Sequence, residues 1–113
     1  MAELFIAGLI VHLVVDWFLQ ADWVSANKSS LRHPAAWVHS GLYVLGNLLV
    51  FSPLIAVLLG LSHMLLDTRV PLRWWRRLLQ QDPQGEDGRL FRMLQDQAAH
   101  TLIIGLAAFV SVQ

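Results

Sequence analysis

The sequence predicts an all-α membrane protein: four transmembrane helices, with an amphipathic interfacial helix between the third and the fourth. Three observations predict it. Hydrophobic residues make up 56% of the chain and charged residues only 14%, against roughly 25% charged in ordinary soluble domains. Mean hydropathy is +0.52. The apolar residues gather into four runs separated by turn signals, and no run has a polar face wide enough to meet water. That missing face weighs against the alternative, a soluble helical bundle. At 113 residues, with no repeat, low-complexity tract or long linker, the chain reads as a single domain over residues 1–113.

The first run extends from about Glu3 to Leu19. No Lys or Arg precedes Lys28, so the run lacks the basic start of a signal peptide and reads as a retained span. The second extends from about Pro34 to Phe51, and the third from Pro53 to near Thr68. Pro34 and Pro53 suit the first helical turn, where the missing N–H costs nothing. Both runs lie near the short limit, since spanning takes about 17–25 residues. The fourth extends from about Leu90 to Val112. Between the third and fourth, Val70–Gln81 sets Arg73, Arg76, Arg77 and Gln80 on one helical face and Leu72, Trp75, Leu78 and Leu79 on another. Arginine and tryptophan in that arrangement fit a helix lying at headgroup level. Asp82–Gly88 reads as an exposed loop.

The distribution of charge predicts sidedness. Lys28 and Arg32 fall between the first two runs, and Arg69, Arg73, Arg76, Arg77, Arg89 and Arg92 between or at the edges of the last two. The turn at Ser52 and both termini carry no Lys or Arg. Cationic loops stay in the cytoplasm, so both termini are expected outside it. Net charge is zero, which gives no reason to expect a nucleic-acid partner. The chain has no cysteine, excluding disulfides, iron–sulfur clusters and cysteine-ligated zinc.

The polar residues inside these runs carry the functional signal. His12 and Asp16, His63 and Asp67, and Asp96 and His100 are each four residues apart, a spacing that puts both members on one helix face. Gln20 extends the first stripe, and His39, Tyr43 and Asn47 mark the second run. At about 1.5 Å per residue, all of these ionisable groups lie about 3–15 Å in from the expected cytoplasmic ends. Facing inward, four imidazoles and three carboxylates would converge in one layer. Ionisable groups are costly inside membrane helices and mark a site or a mutual pairing. His–Asp hydrogen bonds gluing helices together would need fewer such groups, and neutral residues could serve. A divalent metal accounts better for imidazole and carboxylate together, with zinc expected and iron or manganese as alternatives. Seven candidate ligands (His12, Asp16, His39, His63, Asp67, Asp96 and His100) exceed the four of a closed zinc site, which suggests two ions, or one ion with a carboxylate outer layer. His33, before Pro34, is expected to be solvated; Asn27 and Lys28 could reach back over the mouth of the site, but a solvated loop is the expected reading.

The stretch HLVVDWFLQADWVSANKS, His12–Ser29, resembles the opening signature of small bacterial membrane proteins grouped as domain of unknown function 3307. The lone His39, HMLLD at His63–Asp67 and DQAAH at Asp96–His100 are similar to that family's later elements, in order. Trp17 stands where Phe or Tyr is more usual, and Asp67–Arg69 where a lysine-bearing run is. The resemblance covers nearly the whole chain and implies a multi-pass protein of the bacterial inner membrane. It implies no activity; loosely similar His/Asp-rich membrane families are described as metal-dependent hydrolases, by analogy alone.

The expected function is therefore that of a membrane metalloprotein with its site at the cytoplasmic leaflet, acting as a metal-dependent hydrolase on an amphiphilic lipid or polyprenyl substrate. Asp16 and Asp96 are the candidate general bases, and Gln20 and Gln97 the candidate substrate-binding residues. Membrane lipids are the expected partners, with a homo-oligomer left open. A metal or proton transporter would use the same residues but needs a path across the apolar half, where polar residues such as Asn47, Ser52 and Glu3 are few. A structural or partner-binding membrane protein is the third reading.

Overall fold

A computed structural model describes all 113 residues. The chain is helical throughout its ordered elements: α1 (Ala2–Leu13), a π-helical turn (Val14–Phe18), α2 (Asp22–Asn27), α3 (Pro34–Asn47), α4 (Pro53–Asp67), α5 (Val70–Leu78) and α6 (Gly85–Ser111). Pro34 and Pro53 open their helices as the sequence suggests. The ring of His33 accepts from the Ala35 N–H (3.1 Å) and caps α3, and Ser52 caps α4.

The four long helices alternate in direction. α3 and α4 form the most extensive pair, joined through the turn at Leu48–Ser52. They approach closely because Gly60 leaves room for Val44 and Ser40, and the Ser40 hydroxyl donates to Gly60 O (2.9 Å). α6 packs on α1 and α4. Phe5 lies beside Gly105, and Gly8 beside Ile104 and Phe51; residue numbers rise on α1 as they fall on α6, so the pair is antiparallel. Both termini and the Ser52 turn therefore share one end of the bundle, closed by Phe51, Leu59, Ile104 and Ala108.

Four spans do not form. One helix, α6, is long and apolar enough to cross a membrane, or two if α4 and α5 count as one span bent by 64°. The reason is helix length, which an apolar run overstates. α3 has 14 residues and α4 has 15, about 21–23 Å at 1.5 Å per residue, against a hydrocarbon layer of about 30 Å. α1 stops at Leu13, where the π-helical turn takes over. α6 is longer than its apolar part: it starts at Gly85 and takes in residues expected to form a loop, giving 27 residues, about 40 Å. The amphipathic helix forms over Val70–Leu78, shorter than the sequence suggests. The stretch around Asn27, expected to be a solvated loop, contains α2.

The interior is unusually polar. Only 22 of the 113 residues are buried, and His12, Asp16, His39, Ser40, Asn47, His63, Asp67 and His100 are among them. The outward faces carry the large apolar side chains instead, such as Leu54, Leu58, Leu61 and Leu65 on α4 and Leu102, Leu106 and Phe109 on α6.

Candidate metal centre

The three stripes meet. His12 comes from α1, Asp16 from the π-helical turn, His39 from α3, His63 and Asp67 from α4, and Asp96 and His100 from α6. In the π-helical turn the Leu19 N–H donates to Val14 O (2.9 Å), five residues back. Such wide turns occur often at functional sites, and Asp16 stands in the middle of this one.

Asp16 receives three imidazoles. The His39 Nε2–H donates to its Oδ1 (2.8 Å), His63 Nε2 lies 3.2 Å from the same oxygen and His12 Nε2 3.5 Å from Oδ2. Asp67 is the second hub: His63 Nδ1 lies 3.1 Å from Oδ2, His39 Nε2 3.6 Å from Oδ2 and His100 Nε2 3.5 Å from Oδ1. Asp96 Oδ1 lies 3.6 Å from His100 Nε2. The imidazoles also crowd one another, with ring centroids 4.3 Å apart for His63 and His100 and 5.0 Å apart for His12 and His100. The ring of Tyr43 closes the layer 4.1 Å from that of His63.

These contacts are close without being well-directed hydrogen bonds. Both ring nitrogens of His63, Nδ1 of His12 and Nε2 of His100 are buried with no hydrogen-bond partner, although carboxylate oxygens stand 3.1–3.5 Å from His63 and His100. Buried polar atoms left unpaired are rare and costly. Donor atoms arranged around a shared cation have this geometry: bonds of about 2.0–2.1 Å put tetrahedral neighbours about 3.3–3.4 Å apart. Three donor groups form, with ligand atoms within 4.8 Å of one another: His12, His63 and His100; Asp16, His39 and His63; and Asp67, Asp96 and His100. The cluster could hold a metal ion. His63 and His100 each belong to two of the groups, so neighbouring positions share ligands.

All seven expected ligands enter the cluster. The expected substrate residues do not behave alike. Gln97 accepts from His12 Nε2–H (3.0 Å), which leaves Nδ1 of that ring free. It thus does what residues behind a metal ligand do, holding the ring and its tautomer. Gln20 lies past the π-helical turn, outside the donor groups, with its carboxamide oxygen buried and unpaired. Lys28, expected in solvent, instead lies with Nζ 3.7 Å from Asp67 Oδ1. The short helix α2 brings it there, and no periodic pattern announces a helix of 6 residues.

Six of the seven donors are enclosed. Asp96 is the exception, with 31% of its side chain exposed. It opens, with Asp67, into a cleft of about 380 Å³ between α2, the start of α5 and the start of α6. Lys28, Arg69, Arg76, Arg89 and Arg92 line that cleft and Leu72 and Met93 are its only apolar residues. The sequence reading placed arginines at an interface but did not place these beside the carboxylates. Comparison with protein-family models, curated proteins and solved structures returned no match, so the resemblance to domain of unknown function 3307 is neither supported nor opposed by it.

Proposed function

We propose that this chain is a metal-dependent hydrolase embedded in the bacterial cytoplasmic membrane, acting on an amphiphilic ester. The observation that carries this reading is the buried His/Asp cluster with unpaired ring nitrogens, one carboxylate of which opens to a cleft. Zinc suits the donor set, with iron and manganese as alternatives, and the shared ligands His63 and His100 leave room for one ion or two. A bound divalent metal supplies acidity to a water molecule and polarises a phosphoryl or acyl oxygen.

The chain's own residues divide the remaining work. Asp16, in contact with three imidazoles and only 8% exposed, is committed to holding the cluster. Asp96 is reachable from the cleft and is the proton acceptor for an attacking water. Gln97 fixes the His12 ring. Lys28, beside Asp67, offsets negative charge at the cleft mouth.

The membrane location is supported by the apolar exterior and by α6, whose apolar stretch is only 17% buried; a core helix of a water-soluble protein would be covered. The cleft with its arginines lies at the bundle end opposite both termini, which favours a cytoplasmic cleft and termini on the other side. A transporter is disfavoured by the far end of the bundle, closed by Phe51, Leu59, Ile104 and Ala108.

The test is turnover by zinc-, iron- and manganese-loaded protein across a panel of amphiphilic phosphate and carboxylate esters. Asp96→Asn is expected to retain the metal, held by the six enclosed donors, and lose turnover. Metal-loaded wild type that cleaves nothing in the panel, with a fully protein-ligated metal, contradicts the enzyme reading.

A further inference from the structure

We propose that the basic cleft above Asp67 and Asp96 is the seat of a phosphate monoester group, which makes the substrate a phosphomonoester. This inference rests on the hydrolase reading above and names the substrate class for that same site.

The cleft is too polar for an apolar ligand. Small-molecule sites of 300–1,000 Å³ are mostly lined by hydrophobic side chains, whereas here two of eleven lining residues are hydrophobic. Five cations face two carboxylates, and the carboxylates are already engaged by the imidazoles. Lys28 pairs with Asp67 (3.7 Å) and Arg89 with Glu86 (3.9 Å), whereas Arg69, Arg76 and Arg92 form no ion pair. Arg76 Nη1 donates to Gln95 Oε1 (2.9 Å), and Gln95 in turn donates to Gln81 (3.0 Å). Arg92 Nη1 donates to Pro83 O (3.3 Å). Both guanidiniums are thus oriented by neutral acceptors that leave the positive charge uncompensated.

The backbone reinforces the placement. Arg69 adopts the left-handed conformation (φ 67°) between α4 and α5. That conformation is unfavourable for a residue with a Cβ, and here it sets a cation at the cleft, two residues from Asp67. Partial burial, and then repulsion from Arg92 and Arg73, lower the pKa of Arg76 from its ordinary value. A bound dianion would relieve that repulsion. Guanidinium forks match phosphate oxygens in pairs. Arg77 lines a neighbouring cleft with Arg73 and Gln80 that shares Arg76 and Arg92 with this one but holds neither Asp67 nor Asp96; it serves as the internal control, since loss of binding in Arg77→Gln would place the anion in that neighbouring cleft and overturn the seat.

The experiment measures equilibrium binding of inorganic phosphate to the full chain in phosphatidylcholine nanodiscs, with metal content determined on the same samples. Saturable binding is expected, weakened by salt. Arg76→Gln and Arg92→Gln should each weaken it about tenfold or more, since each removes a charge-assisted hydrogen bond. Arg76→Lys keeps the charge but loses the fork, and should fall between Arg76→Gln and wild type. Arg77→Gln should bind as wild type does. A second arm uses nanodiscs doped with phosphatidic acid: competition with inorganic phosphate assigns the seat to a lipid headgroup, and saturable phosphate binding without competition assigns it to a soluble phosphomonoester. Absence of saturable binding in both arms, or binding untouched by Arg76→Gln and Arg92→Gln, overturns the proposal. Metal uptake without phosphate binding overturns the seat and leaves the metal reading intact. Arginine-dependent phosphate binding by protein that takes up no metal supports the seat and overturns the metal reading.

Discussion

Replacing His63 with glutamine tests the cluster at the point where its parts join. His63 lies 3.2 Å from Asp16 and 3.1 Å from Asp67, belongs to two of the three donor groups and has neither ring nitrogen hydrogen-bonded. Glutamine keeps a polar side chain of similar reach in the α4 helix, so the two carboxylates are not left facing an apolar gap. The magnitude follows from the donor count. A four-ligand zinc site contributes about 10–16 kcal/mol, so one ligand accounts for roughly 2.5–4 kcal/mol, or about 10²–10³-fold in affinity. Competition with a chromophoric chelator on detergent-purified protein reads that loss, and circular dichroism checks that the helices persist. His33→Gln is the control, because His33 caps α3 and lies outside the donor groups; it should bind metal as wild type does. Wild-type affinity in His63→Gln, or an equal loss in His33→Gln, would refute the reasoning.

Three further outcomes are expected. Gln97→Leu removes the acceptor for His12 Nε2–H and should lower metal affinity by about 10–100-fold, less than loss of a ligand, in the same titration. Gly60→Leu drives a side chain into Val44 and Ser40 and should destabilise the α3–α4 pair by about 1–3 kcal/mol, read as a lower midpoint in denaturant or heat; an unchanged midpoint would contradict the close approach. Cysteines introduced by Gln84→Cys and Gln113→Cys, just outside the two ends of α6, should react with an impermeant thiol reagent from opposite sides of the membrane, Gln84→Cys from the cytoplasmic side, since α6 is the helix long and apolar enough to cross; labelling of both from one side would contradict the orientation.

The site was more legible in the sequence than the architecture was. His12/Asp16, His63/Asp67 and Asp96/His100 are separated by four residues, and one turn of α-helix forces such pairs onto a common face. Five of these six side chains are buried, Asp96 being the exception, and the outward faces of α1 and α4 are mostly apolar. His39 joined them from the same logic of depth. The count of spans failed because hydropathy reports where apolar residues are, not where helical hydrogen bonding stops. α3 ends at Asn47, whose Nδ2 donates back to Tyr43 O (2.8 Å), while the apolar residues continue to Phe51. The π-helical turn around Asp16 shifts hydrogen bonding by one residue without altering composition, so no residue type signals it. Lys28 was misread for a related reason: its approach to Asp67 depends on α2, which is too short to show a period. Of the cleft arginines only Arg76 belongs to the basic stripe visible in the sequence; the 64° bend between α4 and α5 brings it over the carboxylates, where Arg69, Arg89 and Arg92 join it.

The most direct measurement is the metal content of the full chain purified in detergent without chelators, joined to X-ray absorption at the edge of the metal found. One or two equivalents of zinc, iron or manganese are expected, in a shell of nitrogen and oxygen donors with several imidazoles, and the signal should collapse in His63→Gln. A folded protein that carries no metal, and takes up none on incubation with each of the three, would contradict a metal centre built from His12, Asp16, His39, His63, Asp67, Asp96 and His100.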